Sequence, residues 1–243
     1  MELPLAIAIV LLAALAALIQ ALSGFGFSLF IVPILAILIG PQDTVLLANL
    51  LSTFSNAMQA RNLRHAADRR TAIVLTAASC AGMPVGLAVL LLVEARALQV
   101  AIAVMVIVST LVLMRGVALH AAGTLGDVAA GFTSGVLNTS TSMSGPPIVL
   151  YLQGKGLAPL QFRATIATFF LVTSAIAVTL MIAAGAFRPY ILGAWAISVP
   201  AVFAGQRLGN VLFERVDLLL FRRMVFGILF VSAGIAIVGA LVG

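Results

Sequence analysis

Charged residues are scarce in this sequence. Asp, Glu, Lys and Arg make up 8% of its 243 residues, whereas hydrophobic residues make up 63%. A soluble domain carries about 25% charged residues, so this chain has too few to cover a surface that faces water. Long apolar runs without regular polar alternation favour membrane-spanning helices over a β-barrel. The composition therefore predicts an all-α, polytopic integral membrane protein that forms a single transmembrane domain over residues 1–243.

Cysteine and histidine are equally scarce. The single Cys80 excludes an internal disulfide and a cysteine-rich metal site, and His65 and His120 fall in separate loops. We therefore expect no metal site and no other cofactor. The acidic residues lie in loops or at segment ends, which leaves the predicted membrane interior with little acid–base chemistry. A membrane-embedded enzyme is thus the least favoured class of function.

The few positive charges serve as a topology signal. Apolar segments cover about 3–22, 28–39, 44–60, 71–93, 97–114, 124–137, 145–153, 160–184, 189–205 and 219–242. If the chain starts outside and every segment reverses direction, most basic residues lie inside and only Arg96 and Arg188 lie outside. The inside set is Arg61, Arg64, Arg69, Arg70, Arg115, Lys155, Arg163, Arg207, Arg215, Arg222 and Arg223. Because the formal charge of +6 sits in these short loops, we expect no nucleic-acid partner.

Two halves of the chain share a pattern. A shift of 114 residues places Pro33 on Pro147, and a shift of 116 places Pro84 on Pro200. Each half has five segments, an odd number, so the second half begins on the opposite face of the membrane. We therefore predict two inverted repeats, of about residues 1–118 and 121–243. Short, interrupted segments at matching positions of such repeats indicate a transporter site near the bilayer midplane.

The stretch from Asn138 to Leu152, NTSTSMSGPPIVLYL, is the conspicuous polar interruption of the second half. Gly-Pro-Pro suits the start of a new helix, and the apolar run after it spans roughly 15 Å of a roughly 30 Å hydrocarbon layer. We predict that 28–39 and 145–153 are short interrupted or re-entrant helices that meet near the midplane. Whether they cross fully or turn back is left open by the sequence.

Helix N-termini carry unpaired N–H groups and a partial positive charge, which together suit an anion. We therefore predict that the two interruptions bind a small anionic substrate. Close packing of small residues is the alternative interpretation, and Phe25 and Phe27 fit either a gate or packing. The candidates at the interruptions are Gly24, Gly26, Phe27, Ser28, Asn138, Ser140, Thr141, Ser142, Met143, Ser144 and Gly145.

A polar stripe accompanies the interruptions. Asn49, Thr53 and Asn56 share one face of a predicted helix, so they face the substrate path or form interhelical hydrogen bonds. Asn49 is a further substrate-binding candidate, and Thr53 and Asn56 are candidates for a polar pathway. The same two interpretations apply to Gln20 and Ser23, which precede the first interruption.

The remaining charged residues near these segments have competing interpretations. Arg163 is a further substrate-binding candidate, with snorkelling to the interface as the alternative. Asp127 caps a helix N-terminus or takes part in proton coupling, and Lys155 is predicted to be a solvated loop charge. The lone aromatics Tyr151 and Trp195 have packing or interfacial roles by default.

The stretches SGFGFSLFIVPIL and AGFTSGVLNTSTSMSGPPIVLYL resemble the two signature stretches of the sulfite exporter TauE/SafE family of membrane permeases. The resemblance implies a secondary transporter of small organic or sulfur-containing anions, of the sulfite, sulfonate, sulfoacetate or thiosulfate class. It also implies a multi-pass protein of the bacterial inner membrane, working by alternating access and coupled to protons or sodium. An uncoupled anion channel is the alternative, and a homodimer is an open alternative to a monomer.

Overall fold

A computed structural model describes residues 2–115 and 123–213, together with Gly234, and the described residues form helices without strands. Several predictions fall outside the described residues. They concern the segment 219–242 apart from Gly234, the boundary between the predicted repeats, His120, Arg215, Arg222 and Arg223. The helices are α1 (Leu3–Ser23), α2 (Phe27–Ile39), α3 (Pro41–Leu63), α4 (Arg69–Leu92), α5 (Ala95–Met114), α6 (Gly123–Thr141), α7 (Gly145–Gly154), α8 (Pro159–Ala183) and α9 (Pro189–Phe213).

Five of these helices, α1, α4, α5, α8 and α9, are long and apolar enough to cross a membrane. In contrast, α2 has 13 residues and α7 has 10, or roughly 20 Å and 15 Å of helix. Both are shorter than a hydrocarbon layer of about 30 Å. The prediction of an all-α, polytopic membrane protein with two short helices is confirmed.

Left-handed residues produce the two interruptions. After α1 ends at Ser23, Gly24 has φ 84° and its N–H closes the last turn on the Gln20 carbonyl at 2.7 Å. After α6 ends at Thr141, Ser142 has φ 59° and its N–H bonds the Asn138 carbonyl at 2.9 Å. A left-handed residue directly after the last turn is a common way to end a helix. The chain therefore turns at both places and starts a short helix in a new direction.

Glycines join the long helices in two tight pairs. In α4, a Cβ at Gly82 or Gly86 would clash with carbonyl oxygens of α6. In α9, a Cβ at Gly205 would clash with the Ala14 carbonyl oxygen of α1, and one at Gly209 would clash with Ala21. Glycines permit such close backbone contact between membrane helices. The pairs α4–α6 and α1–α9 therefore behave as two closely packed units around the central pair α3–α8.

These contacts fix how the two halves correspond. Helix starts match at an offset of 118 residues, from 27 to 145 and from 41 to 159. Gly82 and Gly86 of α4 match Gly205 and Gly209 of α9 at an offset of 123. The α6 residues that the first two glycines contact and the α1 residues that the last two contact differ by 118. The shifts of 114 and 116 that align the prolines are therefore wrong by about one or two helical turns. Prolines tolerated inside helices do not mark equivalent positions here.

The short helices run from a common region toward opposite ends of the molecule. Gln99, near the start of α5, donates to the Ala36 carbonyl in the last turn of α2 at 2.9 Å. Lys155, directly after α7, donates to the Thr71 hydroxyl in the first turn of α4 at 3.1 Å. The start of α4 and the start of α5 are separated by the length of α4, about 36 Å. This arrangement supports the inverted repeats, which stay a prediction.

Candidate anion site

The N-termini of α2 and α7 lie on the wall of one small cavity. Its volume is about 20 Å³, which is room for about one water molecule. The lining residues come from α1, α2, α3, α8, the first residue of α7 and the two interruptions. They are Gln20, Gly26, Phe27, Ser28, Leu29, Ser52, Ser142, Met143, Ser144, Gly145, Phe170 and Ser174.

Two serines from different halves of the chain meet at this cavity. The Ser28 and Ser142 hydroxyl oxygens lie 3.2 Å apart and form a hydrogen bond in which either can donate. Ser28 is the second residue of α2, and Ser142 is the left-handed residue that ends α6. The two interruptions that the sequence singled out are thus in direct contact, and each presents a hydroxyl to the same space.

The backbone adds donors, but unequally. The first turn of α2 offers the N–H groups of Phe27, Ser28 and Leu29, which have no intrahelical partner. In α7 the corresponding positions are Gly145 followed by two prolines, so only the glycine N–H is available there. The larger number of backbone donors therefore comes from α2, while the interruption before α7 contributes mainly serine hydroxyls.

None of the described residues that line the cavity carries a charge. Positive potential comes instead from the two helix N-termini, each equivalent to a fraction of an elementary charge. The phenylalanine, leucine and methionine side chains of the wall lower the local polarity, which strengthens these interactions. The arrangement can bind a small anion through hydroxyl and amide donors without forming an ion pair.

The predicted site residues divide into two groups. Gly26, Phe27, Ser28, Ser142, Met143, Ser144 and Gly145 line the cavity, and so does the pathway residue Gln20. Elsewhere lie Gly24, Asn49, Asn138, Ser140, Thr141 and Arg163, together with Ser23, Thr53 and Asn56.

Several hydroxyls of the second group bond to their own helices. Ser140 donates to the Val136 carbonyl at 2.7 Å, and Thr141 donates to the Leu137 carbonyl at 2.9 Å. Thr53 bonds the backbone four residues earlier in α3 at 2.8 Å. Such bonds satisfy a buried hydroxyl within a helix. Ser140 and Thr141 are buried and Thr53 is half-buried, and none of the three hydroxyls donates into the cavity.

The two asparagines of α3 form hydrogen bonds to other helices. Interhelical hydrogen bonding was one of the two interpretations of the polar stripe. Asn49 donates to the Asn138 carbonyl in the last turn of α6 at 3.3 Å. Asn56 accepts a hydrogen bond from Gln20 Nε2 at 2.9 Å. Both asparagine side chains of α3 are fully buried, so these bonds tie α3 to the C-terminal ends of α6 and α1.

Arg163 binds the end of α1 instead of lining the cavity. Its Nη2 donates to the Ala21 carbonyl at 2.8 Å, and its guanidinium lies 4.5 Å from the centroid of the Phe213 ring. A Cβ at Gly24 would lie 3.1 Å from Arg163 Cγ. A cation near helix C-terminal carbonyls offsets their partial negative charge. Arg163 therefore positions the first interruption.

The prediction that Lys155 is a solvated loop charge is wrong. Its side chain is 19% exposed, and Nζ lies 2.7 Å from Asp127 Oδ1 and 5.0 Å from the Tyr151 ring centroid. Asp127 lies in the second turn of α6, which begins at Gly123, so this carboxylate pairs with a lysine and does not cap the helix. The pair fixes the end of α7 to the start of α6, and α7 thus returns toward the end from which α6 comes.

Sequence reasoning missed four residues of the cavity wall: Leu29, Ser52, Phe170 and Ser174. Ser52 lies four residues before Asn56, so the helical spacing of the polar stripe could have included it. Phe170 and Ser174 are also four residues apart, but their segment shows no other feature that separates a wall residue from packing. Only the contact between distant helices brings them to the site.

Comparison with known proteins gives one match. The family model described as sulfite exporter TauE/SafE matches residues 9–236. No curated protein and no solved structure matches this chain.

Proposed function

Because the chain belongs to the sulfite exporter TauE/SafE family of membrane transporters, we propose that it is a secondary transporter of small organic or sulfur-containing anions. The substrates are of the sulfite, sulfonate, sulfoacetate or thiosulfate class, and the membrane is the bacterial inner membrane. One observation carries the proposal: the N-termini of α2 and α7 open into one cavity, where Ser28 and Ser142 lie 3.2 Å apart.

The donors of this cavity suit an oxyanion head group. A sulfite or sulfonate group presents three oxygens, each of which accepts hydrogen bonds. The N–H groups that start α2 and the hydroxyls of Ser28, Ser142 and Ser144 supply donors from several directions. Hydrogen bonds to a charged partner contribute about 1.5–3 kcal/mol each. A full positive charge is therefore unnecessary, and a weakly held anion can leave again.

The small cavity favours a carrier over an open pore. About 20 Å³ holds roughly one water molecule, so an anion with three oxygens can enter only if neighbouring helices move. Such movement is the basis of alternating access, in which inverted repeats rock around a fixed site. We propose that the pairs α1–α9 and α4–α6 move against α3–α8, with a proton or sodium gradient as the driving force.

Purified protein in proteoliposomes tests this function. We expect saturable uptake of sulfite, sulfoacetate or thiosulfate that accelerates when a pH or sodium gradient is imposed. Flux that rises linearly with concentration and ignores both gradients would identify a channel. The absence of flux for every anion of the panel would contradict the proposal.

Two serine variants then connect transport to the cavity. Ser28→Ala and Ser142→Ala each remove one donor, so we expect anion affinity to fall about ten-fold or more. Thr168→Ala is the matched control, because that hydroxyl bonds the Ala164 carbonyl within α8 at 2.8 Å and lies away from the cavity. Affinities of both serine variants equal to that of the control would place the site elsewhere.

A further inference from the structure

A chain of buried hydrogen bonds starts in the cavity wall. Gln20 and Ser52 both line the cavity, and Asn56 of α3 contacts both of them. Gln20 Nε2 donates to Asn56 Oδ1 at 2.9 Å, and Asn56 Nδ2 donates to Ser52 Oγ at 2.9 Å. The polar wall of the cavity therefore continues between helices α1 and α3.

The chain extends along α3 to its arginine-rich end. Ser55 Oγ donates to Gln20 Oε1 at 2.6 Å, and Gln206 Nε2 of α9 donates to Ser55 Oγ at 2.6 Å. Gln59 Nε2 donates to Gln206 Oε1 at 3.4 Å. Gln59 is 4% exposed and lies one turn before α3 ends at Leu63, next to the exposed Arg61.

We call this set the amide seam; its members are Gln20, Ser52, Ser55, Asn56, Gln59 and Gln206. It joins α3 to the unit formed by α1 and α9. Since Gly205 and Gly209 bring those two helices into backbone contact, Gln20 and Gln206 belong to one closely packed unit. If that unit moves away from α3, the amide seam opens as a whole.

Only part of the corresponding seam of the other half is apolar. With the offset of 118, Ser52 corresponds to Phe170 and Gln59 to Ala177, whereas Gln20, Ser55 and Asn56 correspond to the polar residues Asn138, Thr173 and Ser174. With the offset of 123 between α4 and α9, Gln206 corresponds to Met83. Met83 and Ala177 are fully buried, and Phe170 is 6% exposed. We call Met83, Phe170 and Ala177 the apolar seam; two of them stand where the amide seam has Gln206 and Gln59.

The two seams differ in the donors that they present. When the amide seam opens, water replaces internal hydrogen bonds whose net contribution is about 0.5–1.5 kcal/mol each. When the apolar seam opens, water meets a methionine and a phenylalanine, at about 1.5–3 kcal/mol for each side chain. Summed over their members, these two costs are similar. The amide seam, however, presents N–H donors that an anion can contact on its way, and the apolar seam offers no such donor at Met83, Phe170 or Ala177.

We propose that the amide seam is the gate through which the anion passes between the cavity and the arginine-rich end of α3. Gln59 and Gln206 are its outermost members and are specificity-determining residues, because their amide donors hydrogen-bond the passing anion. At the matching positions of the opposite path, the apolar seam offers the anion no such donor. This inference rests on the proposed transport function, and it assigns a route that the cavity alone does not define.

The first test converts the amide seam into a copy of the apolar one. Gln206→Met and Gln59→Ala introduce the residues found at the corresponding positions of the other half. We expect the affinity for sulfoacetate, measured on detergent-solubilised protein, to stay within about three-fold of wild type while the transport rate falls about ten-fold or more. Gln99→Met is the matched control, because Gln99 bonds the Ala36 carbonyl far from the amide seam; it should transport at the wild-type rate.

These outcomes separate the two proposals. If wild-type protein transports no anion, the proposed function fails. If wild type transports sulfoacetate and the double variant Gln59→Ala/Gln206→Met does so equally fast, the gate is overturned. A loss of affinity that equals the loss of rate would also overturn it, because the seam would then belong to the binding site.

A second test uses accessibility and does not require a working transporter variant. Gln59→Cys and Ala177→Cys are made separately in protein whose only native cysteine, Cys80, is replaced by alanine. A charged, membrane-impermeant thiol reagent added from both sides should modify Gln59→Cys about ten-fold faster than Ala177→Cys, because the amide seam presents N–H donors that the apolar seam lacks. Equal rates, or faster reaction of Ala177→Cys, would overturn the assignment.

Discussion

The two helix interruptions deliver their hydrogen-bond donors in different ways. The first uses glycines: Gly24 and Gly26 have φ values of 84° and 97°, and α2 then presents three free N–H groups. The second uses side chains: Ser142 adopts φ 59°, and the two prolines of α7 remove N–H groups. One interruption is therefore specified by its backbone and the other by its hydroxyls. Substitutions should affect stability mainly at the first and anion affinity mainly at the second.

The largest expected effect is at Gly24. A valine there would have to adopt a left-handed φ, which is a genuine outlier for a β-branched residue, and its Cβ would press on Arg163 Cγ at 3.1 Å. We expect Gly24→Val to lower the free energy of unfolding by about 3 kcal/mol. Thermal unfolding in detergent measures this. Gly193→Val is the control, since its Cβ would meet nothing within 4 Å; equal melting temperatures for the two variants would contradict the prediction.

For a glycine at position 142, the comparison predicts that stability is kept or gained while anion affinity is lost. Ser142→Gly removes the cost of a left-handed serine, so the free energy of unfolding should stay unchanged or rise by up to about 1 kcal/mol. It also removes the hydroxyl that meets Ser28, so anion affinity should fall about ten-fold or more. Calorimetric binding and unfolding of one preparation give both quantities. A destabilised variant with unchanged affinity would reverse the roles assigned to the two interruptions.

Adding a backbone donor to α7 sharpens the comparison further. Pro147→Ala restores one N–H in the first turn of α7, next to Gly145 at the cavity. We expect anion affinity to rise roughly three-fold. This is less than a full hydrogen bond would give, because a helix start without the proline is more flexible in the folded protein and must be ordered on binding. Pro159→Ala, at the start of α8, controls for the loss of a helix-starting proline. Unchanged affinity would show that the α7 backbone does not reach the anion.

The smallest effect concerns a residue far from both interruptions. The hydrogen bond from the Thr71 hydroxyl lowers the pKa of Asp68 below 3.8, with Lys155 adding to the shift, and Asp68 caps α4 through the Thr71 N–H. A lowered pKa means that the ionised carboxylate stabilises the fold at pH values above 3.8. That contribution disappears as the pH falls through the lowered pKa.

Asp68→Asn keeps a capping side chain but loses the negative charge at the start of α4, so it should unfold about 0.5 kcal/mol more easily than wild type at neutral pH and equally easily in strong acid. Transport should be unchanged, because the residue does not line the cavity. Unfolding at a series of pH values measures the difference. A difference in stability that persists below the pKa of the carboxylate would contradict the assigned cause.

Local sequence features predicted much of this architecture. Gly-Pro-Pro predicted the start of α7 at residue 145, as observed, whereas the run of small polar residues placed the end of α6 at residue 137, one helical turn before its observed end at Thr141. Both signals are local, because helix ends depend on caps, prolines and left-handed residues within one turn. The meeting of the two interruptions followed from the predicted repeat.

Contacts between distant positions could not be predicted in the same way. Gln206 and Ser55 are 151 residues apart, and each is an ordinary polar residue within an apolar helix. The partners of Arg163 and Lys155 depend on how helices pack, and a charge near a helix end equally fits a solvated loop. Two shared prolines suggested the wrong offset between the halves, because the close glycine contacts that set the true offset lie on other residues.

The tight pairing of α1 with α9 has a consequence for how the protein is made. The Ala14 carbonyl and Ala21 of the first helix pack on glycines that are synthesised almost 200 residues later. After its insertion, α1 therefore waits in the lipid for most of translation before its main partner emerges from the ribosome. Two separately expressed half-chains should each remain incompletely assembled in the bilayer, and only their co-expression should yield a compact particle.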